Sequence, residues 1–403
     1  MSAVDFKPGE SSAPATTDIV IIGGGIMGCA TAYFLKVLSP SLDVTIIEPD
    51  FGYEFCSTLR ASGGARRLFS CPENIEMSNF SIPFIRDFPR TMIVERDGAV
   101  REAPVDWVEG GYLSLVGDKG LDALLSNMET QIALGCDVEF LEPHELKARY
   151  PSMFIDDLAG GVFSPRDGWC DPSGFLQGFK RKVQSMGVRL MEDRVTSLQI
   201  DGTALAGAGL ESGRRIRADA FVNAAGAWSG MVSAMAGVPL PVVPMRRFEH
   251  YFTCGNPMER LPYVKELSRL AFRSEGVGFS GGLVDGSEPR GFNFDVDHDY
   301  FERVVWPAVA HRFPPFESAK CHRTWSGLYE QCELDGNPII GATSIANFCA
   351  VTGFSGHGMM HAPAAGRAVA ELIVKGRFES IDLARLGYER VLRCEPYREA
   401  GIL

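Results

Sequence analysis

Two glycine-rich turns, more than three hundred residues apart, constrain this chain more than any other feature. The first, Gly23-Gly24-Gly25-Ile26-Met27-Gly28, directly follows the apolar run Ile19-Val20-Ile21-Ile22. The second, Gly353-Phe354-Ser355-Gly356-His357-Gly358, follows Phe348-Cys349-Ala350-Val351 and precedes a strongly helical stretch. Each reads as strand, tight turn and helix start, which offers backbone N–H groups and the positive end of a helix to an anionic ligand. One such turn points to a nucleotide site. Two point to an extended cofactor gripped at both ends.

The surroundings of the first turn are in register with that reading. Residues 18–25 form a buried-strand pattern, residues 26–38 an apolar helix that stops at Ser39-Pro40, and Asp43-Val44-Thr45-Ile46-Ile47-Glu48 a second strand. Glu48 lies 20 residues beyond Gly28, where a dinucleotide fold places the acid that holds ribose hydroxyls. Further on, residues 195–200 alternate like a half-exposed strand, and residues 220–226 return to a buried strand ending in a glycine turn. Residues 241–325 are aromatic and strand-like, and residues 338–377 are again strand then helix. The expected fold is therefore α/β: a doubly wound, Rossmann-like cofactor domain of discontinuous segments (18–90, 152–238 and 326–395) plus a mixed-sheet substrate domain (91–151 and 239–325). Residues 1–17 read as a disordered leader and 396–403 as a C-terminal tail.

The net charge of −12 disfavours a nucleic-acid partner, which normally requires a basic face. No apolar run reaches the roughly 18 residues that span a bilayer. The N-terminus lacks a signal core, and the 10 cysteines include no Cys-x-x-Cys pair. That reads as reduced thiols, a cytoplasmic location and no zinc site. His357 and His361 have a nominal i, i+4 ligand spacing, but no third ligand follows, so no metal is expected.

Five segments, in order, resemble the D-amino-acid oxidase superfamily of FAD-dependent amine oxidoreductases, which includes glycine oxidase and sarcosine oxidase. They are residues 19–28, Arg60-Ala61-Ser62-Gly63-Gly64-Ala65-Arg66, Asn223-Ala224-Ala225-Gly226-Ala227-Trp228, Thr324-Trp325-Ser326-Gly327-Leu328-Tyr329, and residues 353–358. Asp167-Gly168-Trp169-Cys170-Asp171-Pro172 and Val296-Asp297-His298-Asp299-Tyr300-Phe301 resemble, within that superfamily, the mitochondrial FAD-dependent oxidoreductase-domain type associated with respiratory complex I.

The resemblance implies an FAD whose adenosine end meets Gly23, Gly25, Ile26, Met27, Gly28, Glu48, Pro49, Val195, Ala225, Gly226 and Trp228. It implies contacts to the phosphates and flavin from Ser57, Arg60, Ala61, Ser62, Gly63, Gly64, Arg66, Gly327, Phe354, Ser355, Gly356, His357, Gly358 and Met359. Arg66 would favour negative charge on the reduced ring, and the N–H groups at residues 356–358 would meet that charge as it develops.

Departures from the family narrow the reading. Thr324-Trp325-Ser326-Gly327 has no cysteine for a thioether, so FAD is expected to be non-covalent. Tyr329 stands where glycine and D-amino-acid oxidases carry an arginine for the substrate carboxylate, and Met360 where sarcosine oxidases carry a lysine. Tyr251, Arg273, Tyr329, His357 and Met360 are the candidate catalytic residues, with Arg273 and the Arg246-Arg247 pair as substitute carboxylate anchors. Residues 269–283 lack the lysine that aids oxygen activation in sarcosine oxidase, which leans toward a dehydrogenase.

The expected reaction oxidises a C–N bond of a secondary amine or N-substituted amino acid, with electrons passing to oxygen, an acceptor protein or a quinone. The alternative is a non-catalytic assembly or scaffold flavoprotein. Asp297-His298-Asp299 reads as a helix cap, and Trp169-Cys170-Asp171-Pro172 as a structural loop.

Overall fold

The structure is a computed structural model that describes residues 15–96, 99–267 and 270–401. Two large mixed sheets carry it. The parallel heart of the first runs Arg189–Glu192, Val44–Glu48, Ala15–Ile22, Arg215–Asn223 and Phe348–Thr352. These strands are apolar on both faces because helices cover one side and a β-meander the other, as parallel strands require. Helix Ile26–Leu38 is buried along most of its length and packs against Gly358–Lys375, the helix after the second glycine turn. Gly366 allows this: a Cβ there would meet the backbone of Ala30 and Thr31 at 2.8 Å.

The pairing Phe221↔Phe348 through Asn223↔Ala350 places the C-terminal strand beside the one that follows the N-terminal strand. Two turns distant in sequence thus open at the same, carboxyl end of one parallel sheet. That edge is where ligands bind in open α/β sheets.

The second sheet runs Lys320–Cys332, Val242–Thr253, Gly278–Leu283, Leu270–Glu275, Tyr263–Glu266, Tyr112–Val116, Gly160–Ser164 and Glu139–Leu141. Phe248, His250 and Phe252 face away from the first sheet, into a core with Tyr300, Phe301 and Phe316. The alternate residues Arg247 and Glu249 line a cavity between the two sheets.

Several expectations are corrected. Strand Gly160–Ser164 and the 326–332 half of strand Lys320–Cys332 pair in the second sheet rather than the first. The leader lies outside the described residues as far as 14, but Ala15, Thr16 and Thr17 already belong to the first strand, opposite Ile216, Arg217 and Ala218. The C-terminal segment is tied down: Tyr397 donates its N–H to Asp335, and Asn337 donates to the Tyr397 carbonyl at 2.6 Å. Glu399 accepts from Ser70 N and Asn74 Nδ2. Asp171 accepts from Ser173 N and Gly174 N and so caps helix Pro172–Ser185. No helix among the described residues is long and apolar enough to cross a membrane.

Candidate functional site

The three fingerprint glycines do different jobs. Gly28 touches the strand before it: a Cβ would lie 1.9 Å from the Gly23 carbonyl oxygen. Gly23 has φ +105°, and a Cβ would lie 2.4 Å from Ala224 O. Gly25 has ordinary extended backbone (φ −66°) and free space before it, the nearest atom to a Cβ being Cys56 Sγ at 3.6 Å. So Gly23 and Gly28 let chain pass chain, and Gly25 faces the cavity.

The helix after Gly25 has no side-chain cap and no acid in its first turn, and the same holds for the helix after His357. Buried helix starts without caps leave N–H donors to be met by something else, and an anionic ligand satisfies that need.

A cavity of about 390 Å³ joins the two ends. At one end lie Gly23, Gly25, Ile26, Met27, Glu48, Pro49, Val195, Ala225, Gly226 and Trp228; Ser57, Arg60, Ala61 and Ser62 follow; Gly327, Tyr329, Gly356, Gly358 and Met359 close the other. The Glu48 carboxylate accepts from Gly24 N (2.8 Å) and Asp50 N (3.2 Å), which holds it at the strand end. Burial pushes its pKa up, against those two hydrogen bonds. Ser57 Oγ donates to Leu328 O, and Arg60 donates to Ser326 O, so this loop is fastened to the second sheet. An elongated cradle with two uncapped helix starts and one terminal acid fits a dinucleotide.

Other sequence candidates lie beside or behind the cavity. Gly63 and Gly64 pass close to the Cys170 carbonyl and the Tyr263 ring. The Arg66 guanidinium stacks over Phe69 at 4.3 Å, behind the wall rather than in it. Phe354 is fully buried, and Ser355 Oγ accepts from Cys332 N.

His357 packs its ring against Phe69 and His361, and its N–H is spent inside the turn on Phe354 O. That amide is therefore not a donor to a ligand, which corrects the expectation for residues 356–358. Burial, with His361, Arg66 and Lys265 nearby, holds the His357 imidazole well below its usual pKa and so neutral. Met360 is buried in the core of the first domain and does not face the cavity, a second correction. His361 bonds Ser78 Oγ, and no group of three metal-ligating side chains occurs among the described residues.

Tyr251 and Arg273 line a second cleft, which shares Ala61 with the cavity. Arg273 is committed there: it pairs with Glu275 and donates to Ser62 O at 2.6 Å. Of the Arg246-Arg247 pair, Arg246 is held by Glu288 and Asp295 O, while Arg247 lines the cavity, 4.9 Å over the Tyr329 ring.

Sequence reasoning missed Glu249, Tyr263 and Lys265. Glu249 lines the cavity and accepts from Ser280 Oγ at 2.7 Å; burial pushes its carboxyl up to about 7. Tyr263 bonds Ser62 Oγ at 2.9 Å and stacks on Tyr112. Lys265, two residues along the same strand, is held well below its usual pKa by burial first and then by Arg66. Strict alternation in Arg247-Phe248-Glu249-His250 was the available signal for Glu249, since a charge between core aromatics must face the opposite side.

Comparison with known proteins agrees with this geometry. Residues 18–372 match the family described as FAD dependent oxidoreductase (DAO). The chain is 36% identical to FAD-dependent oxidoreductase domain-containing protein 1 of Xenopus laevis, over 99% of this chain and 87% of that one. It is 27% identical to the mitochondrial sarcosine dehydrogenase of Homo sapiens, over 91% of this chain and 40% of that one. The solved structure of L-proline dehydrogenase from P. horikoshii superposes with a TM-score of 0.82 at 27% identity, covering 96% of this chain and 100% of that one. The chain belongs to the FAD-dependent oxidoreductase (DAO) family.

Proposed function

We propose that this FAD-dependent oxidoreductase oxidises the C–N bond of a secondary amine or N-substituted amino acid to an imine, which water then hydrolyses. The observation that carries the reading is the sheet wall at the far end of the cavity. There Tyr329, Tyr263, Arg247 and Glu249 line the cavity together with Gly327, Gly282 and Ala271. A wall that offers two hydroxyls, one guanidinium and one carboxyl suits a compact polar substrate. Sarcosine and L-proline, which name two of the similar enzymes, are both secondary amino acids.

Bound in the cavity, FAD supplies a two-electron acceptor for the C–H beside nitrogen. The chain's own groups do the rest. Gly25 and the uncapped start of helix Ile26–Leu38 would hold the pyrophosphate, and Glu48 would hold the ribose. The uncapped start of Gly358–Lys375 supplies N–H donors where negative charge grows. Tyr329 and Tyr263 orient the amine and exclude water. FAD is held without a covalent bond, since Trp325 and Gly327 occupy the segment where a thioether cysteine would stand. Oxygen, an acceptor protein or a quinone would take up the electrons.

The test is anaerobic mixing of the yellow protein with a panel of N-alkyl amino acids and cyclic amino acids. Bleaching of the flavin by at least one is expected, and the same reaction under air separates oxidase from dehydrogenase. No bleaching by any member would overturn the proposal and favour an assembly role.

A further inference from the structure

We propose that Glu249 recognises the cationic amine and accepts its proton, so that the cavity selects substrates arriving as ammonium ions and converts them to the neutral amine. This rests on the amine-oxidation reading above. Three observations lead to it.

First, the cavity's other carboxylates are engaged elsewhere. Glu48 accepts two backbone N–H groups at the opposite end. Glu330 accepts from Thr352 Oγ1 at 2.8 Å and from Gly353 and Phe354 N–H, beneath the second glycine turn. Asp193 bonds Ser212 and Arg214. Asp50 accepts from Gly52 and Glu54 N–H.

Second, Glu249 is held at one oxygen only. Ser280 Oγ donates to Oε1, while Oε2 meets no hydrogen-bond donor among the described residues. A carboxylate steadied by one neighbour, on the wall of a cavity, is arranged to receive a donor from a ligand at its second oxygen.

Third, its neighbours fit the task. Glu249 pairs with Trp325 on the neighbouring strand and lines the cavity together with Tyr329, Tyr263 and Ala271. Arg247 lines the same cavity, over the Tyr329 ring, where an anionic group on the substrate would meet a guanidinium while Glu249 meets the cation.

The step balances simply. An N–H bond of the ammonium breaks and an O–H bond forms on Glu249, with no electron change. The amine then carries the lone pair that its oxidation requires. Burial pushes the Glu249 carboxyl up to about 7, opposed by Ser280 and Arg273, so the group can take a proton near neutral pH and return it to solvent. Facing charged groups are Arg273, which lowers that value, and Glu275, which raises it.

The probe is trimethylglycine, a zwitterion whose quaternary ammonium group is permanently charged and has no N–H, titrated into the flavin-loaded protein and read by the shift in flavin absorbance. For the wild type, affinity should rise about tenfold per pH unit up to pH 7 and level off above it, because only the ionised carboxylate attracts the cation. Glu249→Gln should bind at least tenfold more weakly, with no pH dependence. Glu249→Asp should keep the pH dependence at reduced affinity. Equal affinity and an unchanged pH profile in Glu249→Gln, or no binding to the wild type, would overturn the proposal. Should Glu249→Gln fail to retain FAD, a pH-independent Glu249→Asp would overturn it equally. The two readings separate cleanly. A wild type bleached by amines beside an indistinguishable Glu249→Gln refutes the role of Glu249 alone. A wild type that no amine bleaches, yet binds the cation through Glu249, refutes amine oxidation alone.

Discussion

Replacing two fingerprint glycines separates the fold from the ligand. A methyl at residue 28 would sit 1.9 Å from the Gly23 carbonyl oxygen, far inside van der Waals contact. Helix Ile26–Leu38 would have to shift by more than an ångström from a strand that is buried beside it. Overpacking of this kind costs about 1–3 kcal/mol, and the better helix propensity of alanine returns up to about 1. Gly28→Ala should therefore unfold a few degrees lower even as the FAD-free protein. Gly25→Val meets only Cys56 Sγ at 3.6 Å and Thr58 Oγ1 at 4.0 Å from its Cβ, in a backbone conformation open to any residue. The folded chain tolerates it; the cavity does not. A side chain there holds the pyrophosphate away from the helix start, and loss of one charge-assisted hydrogen bond of about 1.5–3 kcal/mol weakens FAD roughly 10- to 150-fold. The assay is thermal unfolding of both FAD-free variants, followed by FAD titration read by fluorescence quenching. Wild-type affinity in Gly25→Val, or an unchanged melting temperature in Gly28→Ala, would refute the division of labour.

Acid precipitation should leave all the flavin in the supernatant; colour in the washed pellet would mean a covalent link. Burial pushes the Glu330 carboxyl up to about 7, so the folded state holds a proton that the unfolded state has released above about pH 4.5. FAD-free protein should accordingly lose stability as pH rises from about 4.5 to 7, and Glu330→Gln should flatten that slope in pH-resolved melting curves. Arg390 is buried against Asp335 and four carbonyls, and Asp335 also anchors Tyr397 N. Arg390→Ala should cost about 3–5 kcal/mol and make the C-terminal segment protease-sensitive; an unchanged denaturation midpoint would count against that coupling.

The sequence by itself determined the cofactor end of this protein. Helix 26–38, the strand ending at Glu48, the buried strand before Ala224 and the helix after Gly358 all form from patterns local to their own segments. Periodicity and glycine placement are short-range physics, so they could be read residue by residue. The structure then decided what depends on which strands become neighbours. It withdrew Met360 and the His357 amide from the ligand, because both are spent on packing and on the turn itself. It moved strand Gly160–Ser164 to the second sheet and fastened the tail through Glu399. It also brought forward Glu249, whose partner Ser280 lies 31 residues away on a neighbouring strand. No local pattern encodes that meeting. A side chain's chemistry depends on the charge, water and hydrogen bonds around it, and for Glu249 those come from strands that only the folded sheet assembles.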